Sequence, residues 1–182
     1  LFFTAAFFWI YQRFLEKMNW GNTLLLGICM ALMLYSKYHG VLIILFTLAS
    51  NWKLFTRYQA YLAAIIGLLL FMPHLIWQYN NGFPSVSYHL FERNAAHYKP
   101  DYTFEYVAGQ LAIAGPVAGW LLIWAALKYK TVSPLERALR FSLIGFYITF
   151  LLSTFKGRVE ANWTVPALIS LIVLSHQYLV QD

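Results

Sequence analysis

Charged side chains make up only 11% of the 182 residues, where an ordinary soluble domain carries about 25%. A water-soluble monomer is excluded on that ground. With 60% hydrophobic residues and a mean hydropathy of +0.57, the chain lacks the polar surface to cover even one conventional core, and its natural solvent is a bilayer. Intrinsic disorder is excluded by the same composition. The single cysteine, Cys29, lies inside an apolar run without an intrachain partner, which excludes a disulfide scaffold and leaves a small lipid-facing or packing residue. No basic run or stripe exists either. The thirteen Lys and Arg that give a net charge of +6 are scattered among apolar stretches, so they read as loop and site charges and nucleic acid is no partner. Zinc-ligand spacing, a phosphate-loop motif, fixed-period repeats and low-complexity linkers are missing too.

What is present is a series of long apolar runs. Taking about 20 residues per crossing, the expected spans are Leu1–Phe14 (truncated), Gly21–Ser50, Tyr58–Tyr79, Tyr106–Leu127, Ala138–Phe155 and Trp163–Val180. These runs are continuous rather than alternating, which favours helices over a closed β-barrel. The expected fold is therefore an all-α membrane protein, one bundle of about six transmembrane helices over residues 1–182. Pro73 should kink the third span near its end. The second is too long for one upright helix and is interrupted by Ser36-Lys37-Tyr38-His39-Gly40, so it is either strongly tilted or bent at Gly40. The opening Leu1-Phe2-Phe3, with the basic Arg13 behind the first apolar stretch, is the reverse of a signal peptide and reads as a fragment of a longer polytopic protein.

If every span crosses once, the basic residues divide evenly between the two sides and do not fix orientation. The other charges are more informative. One side also carries Glu16, Glu92, Asp101, Glu105 and Glu160 with His89 and His97, whereas the other, with Lys53, Arg57, Lys128 and Lys130, is basic and otherwise bland. The bland side is expected in the cytoplasm and the chemistry on the opposite side.

Three groups of residues could carry that chemistry. Lys37 lies well inside the second span, where a charge is costly unless it meets a cavity, a partner or an anion; it is either a phosphate ligand, with the polar-tipped Tyr38 and His39 beside it, or a lysine snorkelling from a helix break. In Asn80–Glu105, Asn80-Asn81-Gly82-Phe83-Pro84-Ser85 reads as a turn and helix start with Pro84 in the first turn. Beyond it Tyr88, His89, Glu92 and Arg93 share one helix face, as a site or as an interfacial amphipathic helix. Tyr88, Tyr98, Tyr102 and Tyr106 would stack on a sugar or sit in the aromatic belt. The third group, Lys156-Gly157-Arg158-Val159-Glu160, is either a phosphate-holding loop or a polar turn capped by Trp163. His74 reads as a packed or interfacial histidine, and His176 lies near the cytoplasmic end.

Several of these segments together resemble a known family. Gly27-x7-Tyr35-Ser36-Lys37-Tyr38, Pro73-His74-Leu75-Ile76-Trp77-Gln78-Tyr79, Pro84-Ser85-x2-Tyr88-His89-Leu90-x-Glu92-Arg93, Gly109-Gln110-Leu111 with Gly115-Pro116, and Lys156–Trp163 resemble, in order, the bacterial membrane glycosyltransferases related to dolichyl-phosphate-mannose protein mannosyltransferases. The lipid A aminoarabinose transferases belong to the same superfamily. The resemblance implies a GT-C-type fold in the plasma (inner) membrane, multi-pass, that moves a sugar from a polyprenyl-phosphate donor to a protein or glycolipid acceptor on the extracytoplasmic side. It implies membrane lipids, donor and acceptor as partners, no cofactor, and leaves a divalent metal open. The family's catalytic Asp lies in a loop ahead of the matched region, so no catalytic residue is assigned here and the fragment alone is expected to be inactive. Lys37, Tyr38, Tyr88, His89, Glu92, Arg93, Lys156, Arg158 and Glu160 would then bind substrate. The competing expectations are a secondary transporter or flippase, which needs matching broken helices in inverted repeats, and a non-catalytic membrane scaffold.

Overall fold

The apolar runs fold as α-helices, and a computed structural model, which describes residues 1–88 and 97–180, contains no strand among them. The expected all-α class is what these residues form. They gather into two compact units, Leu1–Leu75 with Thr131–Ser142 and Ile76–Lys130 with Leu143–Asp182. Each unit draws on two stretches of chain, so no single linker separates them.

The first unit begins with α1 (Phe2–Glu16) packed against α2 (Trp20–Ser36). The turn between them is held by one side chain: Asn22 Nδ2 donates to the carbonyls of Arg13 (3.0 Å) and Lys17 (2.8 Å), while its own amide is capped by Asn19 Oδ1 at 2.8 Å. Carbonyls at the end of α1 and an amide at the start of α2 thus find partners without water. Phe7, Phe8, Tyr11 and Phe14 form the buried face of α1. Gly27 explains how close α2 comes to α4 (Tyr58–Asn80): a Cβ on Gly27 would stand 2.8 Å from the Ala63 carbonyl and from Ile66, and a Cβ on Gly67 3.2 Å from the Gly27 carbonyl. Small residues opposite one another are how helices approach closely where no hydrophobic effect drives them together. The start of α8 (Pro134–Ser153) also belongs here. Its first turn is a reciprocal cap, with Val132 and Ser133 amides on Glu136 Oε2 (2.7 and 3.0 Å) and the Glu136 amide on Ser133 Oγ (3.1 Å).

In place of a single long second span there are two helices. α2 ends at Ser36, Lys37 is extended (φ −161°, ψ 126°), Tyr38 and His39 make a turn, and α3 runs Gly40–Ser50. The bend expected at Gly40 is a break over the three residues before it. Gly40 opens α3 because a Cβ there would lie 2.8 Å from Met33 Cγ. α4, by contrast, continues through Pro73 to Asn80. It ends in a Schellman arrangement, with Phe83 N–H on the Gln78 carbonyl (2.7 Å), Gly82 N–H on the Tyr79 carbonyl (3.2 Å) and Gly82 left-handed at φ 73°.

The second unit takes in the end of α4 and then α5 (Pro84–Ser87), where Pro84 takes its expected first-turn place. It continues with α6 (Pro100–Ala114), α7 (Gly119–Lys128), the end of α8 and α9 (Ala167–Val180). The stretch 106–127, expected as one span, is also two helices. Gly115 adopts φ 108° ahead of Pro116, and α6 and α7 meet at 89°. α7 packs on α9, with Trp124 edge-on to Tyr178 (5.4 Å), around a core that includes Ala126, Phe146, Leu171 and Leu174.

Among the described residues α4 alone is long and apolar enough to cross a bilayer by itself, and only 17% of its apolar stretch is buried. A helix of that composition at the centre of a soluble domain would be covered on all sides. α6 and α7 reach the necessary length only as a bent pair, and α2, α3 and α9 are shorter apolar helices.

Candidate functional site

The break between α2 and α3 gathers polar side chains in the first unit. Tyr35, in the last turn of α2, donates its hydroxyl to the Leu70 carbonyl of α4 at 3.1 Å. Pro73 has no amide proton for the Leu69 carbonyl, so this contact falls in the turn that the proline loosens. Tyr38, in the break itself, shares a hydrogen bond of 2.5 Å with His74 Nε2. The rings make a cluster: Tyr35 is edge-on to Phe71 (5.0 Å) and His74 (5.8 Å), and His74 also packs on Phe71 (5.1 Å) and Tyr38 (5.4 Å). Phe71 is buried, Tyr38 is 37% exposed, and Lys37 and His74 are half-buried. In the backbone of the break, Lys37 N–H donates to the Met33 carbonyl and Gly40 N–H to the Lys37 carbonyl. A lysine and a phenol at a partly buried helix break suit an anion, because the ammonium offers three donors and the surroundings little competing water.

His74 is the member that sequence reading set aside as packing. Its signals were a place beside Pro73 and in a segment that resembles the family, and nothing local marks which helix it will face.

The second unit places the Lys156–Asn162 segment alongside α6. Arg158 Nε lies 2.9 Å from Glu105 Oε2, Thr154 and Thr103 hydroxyls are 2.8 Å apart, and Gly109 leaves room for Ala161, whose methyl would be 3.3 Å from a Cβ. Thr164 donates its hydroxyl to Gln110 Oε1. Glu160 precedes a 3₁₀ turn, Ala161–Trp163, and is exposed, as is Lys156. Arg158 thus has a carboxylate partner within the chain, a contact the sequence reading did not include. Tyr88 closes α5 and is half exposed; His89, Glu92 and Arg93 lie outside the described residues. Among the tyrosines, Tyr106 is buried with its hydroxyl on the Tyr147 carbonyl (2.9 Å), which takes it out of both the sugar-stacking and the aromatic-belt expectations. It lines a cavity of about 200 Å³ with Val107, Gln110, Leu111 and Tyr147.

Residues 1–77 match the family model of dolichyl-phosphate-mannose-protein mannosyltransferase. That match covers less than half of the chain, and over those residues the chain is similar to that family. The matched stretch holds α1, α2, α3 and α4 as far as Trp77, and with them the whole Tyr35, Lys37, Tyr38, Phe71 and His74 cluster. The Lys156–Glu160 loop lies beyond it. No curated protein and no solved structure matches the chain. The similarity suggests a membrane protein of glycosyltransferase type.

Proposed function

We propose that this chain is part of an integral, multi-pass membrane glycosyltransferase that moves a sugar from a polyprenyl-phosphate donor to a protein or glycolipid acceptor on the extracytoplasmic side of a plasma (inner) membrane. The observation that carries this is Lys37 on a helix break, flanked by two tyrosines anchored to α4, inside the segment that matches the family. Displacing a polyprenyl phosphate from an anomeric carbon puts negative charge on the departing oxygen. A fixed cation in a water-poor site stabilises that charge as it develops. Lys37 and Tyr38 would hold the donor phosphate, and Tyr88, His89, Glu92, Arg93, Lys156, Arg158 and Glu160 would also bind substrate. Deprotonation of the acceptor hydroxyl is assigned to no residue of this chain.

The six-crossing topology belongs to the same proposal. Glu105 and Arg158, which that topology puts on one side of the membrane, are in contact, and this supports it. The transporter reading is weaker. A second helix break does exist, at Gly115–Ala118, but Gly115-Pro116-Val117-Ala118 offers no polar side chain for a midplane site.

The test is transfer by the full-length protein from a polyprenyl-phosphate sugar. Lys37→Ala or Arg93→Ala should abolish transfer with membrane insertion intact. Unchanged transfer in both variants removes the site assignment.

A further inference from the structure

Lys37 sits between two tyrosines that are tied to the same turn of α4, Tyr35 to the Leu70 carbonyl at 3.1 Å and Tyr38 to His74 Nε2 at 2.5 Å. The break has backbone bonds besides these, with Lys37 N–H on the Met33 carbonyl and the Lys37, Tyr38 and His39 carbonyls accepting from Gly40, Val41 and Leu42. Bulk packing does not need the second, because Phe71 already fills the space against Tyr35 and His74. What the imidazole adds is direction. A phenol that is 37% exposed would otherwise swing to other rotamers, and the extended Lys37 next to it lies outside both helices.

We propose that His74 is a positioning residue: it fixes the Tyr38 hydroxyl and, together with the Tyr35–Leu70 bond, holds the Lys37 segment in one register against α4, so that an anionic phosphate meets a pre-set site. This rests on the reading of Lys37 and Tyr38 as phosphate-binding. His74 acts through Tyr38 and makes no contact with the reacting atoms. The benefit is lower reorganisation on binding, the general gain from pre-organised groups.

The experiment measures equilibrium binding of farnesyl phosphate, against farnesol as the phosphate-free control, to the full-length protein in lipid nanodiscs. Lys37→Ala should erase the preference for the phosphate; if the preference survives, the reading of the site fails. Given that loss, His74→Phe, which keeps the ring packing and removes the hydrogen bond, should weaken farnesyl phosphate binding by about tenfold and leave farnesol unchanged. Tyr38→Phe, which also removes a hydroxyl that would hold the phosphate, should weaken binding at least as much, and the double variant should be no weaker than Tyr38→Phe alone, since His74 acts through Tyr38. His74→Gln, which restores a hydrogen-bonding end, should recover most of the affinity. Wild-type affinity in His74→Phe, or additive losses in the double variant, would overturn the role of His74 while leaving the Lys37 site standing. Should His74→Phe fail to fold, His74→Leu is measured in its place, and wild-type farnesyl phosphate affinity there overturns the proposal.

Discussion

Arg158 Nε and Glu105 Oε2 stand 2.9 Å apart, joining the segment after α8 to α6 across 64% and 48% exposed side chains. An ion pair this open to solvent is worth little to stability, on the order of 0–1 kcal/mol. Its weight is in its effect on charge. Part of the Arg158 charge is neutralised by a carboxylate of the protein itself.

Glu105→Gln follows from this. The variant should unfold within about 1 kcal/mol of the parent and bind farnesyl phosphate a few times more tightly, most visibly at low salt where the freed guanidinium is least screened. Thermal unfolding in detergent and binding at two ionic strengths check both halves. Weaker binding would mean that Glu105 itself helps to hold the ligand.

Gly27 offers a sharper structural prediction. Any side chain there meets the Ala63 carbonyl and Ile66 at 2.8 Å, so Gly27→Val should cost roughly 1–3 kcal/mol through overpacking and helix displacement. Gly67→Ala, whose Cβ would be 3.2 Å from the Gly27 carbonyl, should cost less. Because the α2–α4 approach also brings Tyr38 to His74, Gly27→Val should weaken farnesyl phosphate binding as well. A stable variant with unchanged binding would show that the two helices can separate without disturbing the cluster.

Gln110 leads to the opposite expectation. It is 8% exposed, its Nε2 has no hydrogen-bond partner among the described residues, and its Oε1 accepts from a Thr164 hydroxyl that also lies 3.0 Å from the Ala161 carbonyl. Gln110→Leu removes an unsatisfied amide and leaves Thr164 an acceptor, so despite the burial stability should change by less than about 1 kcal/mol. Gln110→Ala, which enlarges the adjoining cavity without that compensation, should cost about 2 kcal/mol or more. Equal losses in the two variants, read from thermal unfolding, would show that the amide contributes a bond of its own.

Much of the secondary structure was legible in the residues. α4 runs to Asn80 where Tyr79 was the expected end, and Pro84 begins a helix as its fixed φ requires. The interruption at Ser36–Gly40 was visible because a lysine and a histidine do not continue an apolar run. The break at Gly115-Pro116 was missed although both residues were noted, because hydropathy stays high across it and a window sees one span where the backbone turns by 89°. Charge pattern placed Lys37 and Arg158 among the candidates, but it could not show that Arg158 faces Glu105.

By itself, the sequence determined the solvent of this protein, its helical class and the points where polar groups interrupt apolar runs, because burial cost and backbone hydrogen bonding in a bilayer act on each segment locally. Tertiary structure alone decided which of those groups meet. Tyr38 and His74 are 36 positions apart, on helices whose rotation about their own axes is set by close contacts such as Gly27 against Ala63 and Ile66. A side chain's partner across a helix pair depends on that rotation and on the distance of approach, and neither is written in the local pattern of either helix.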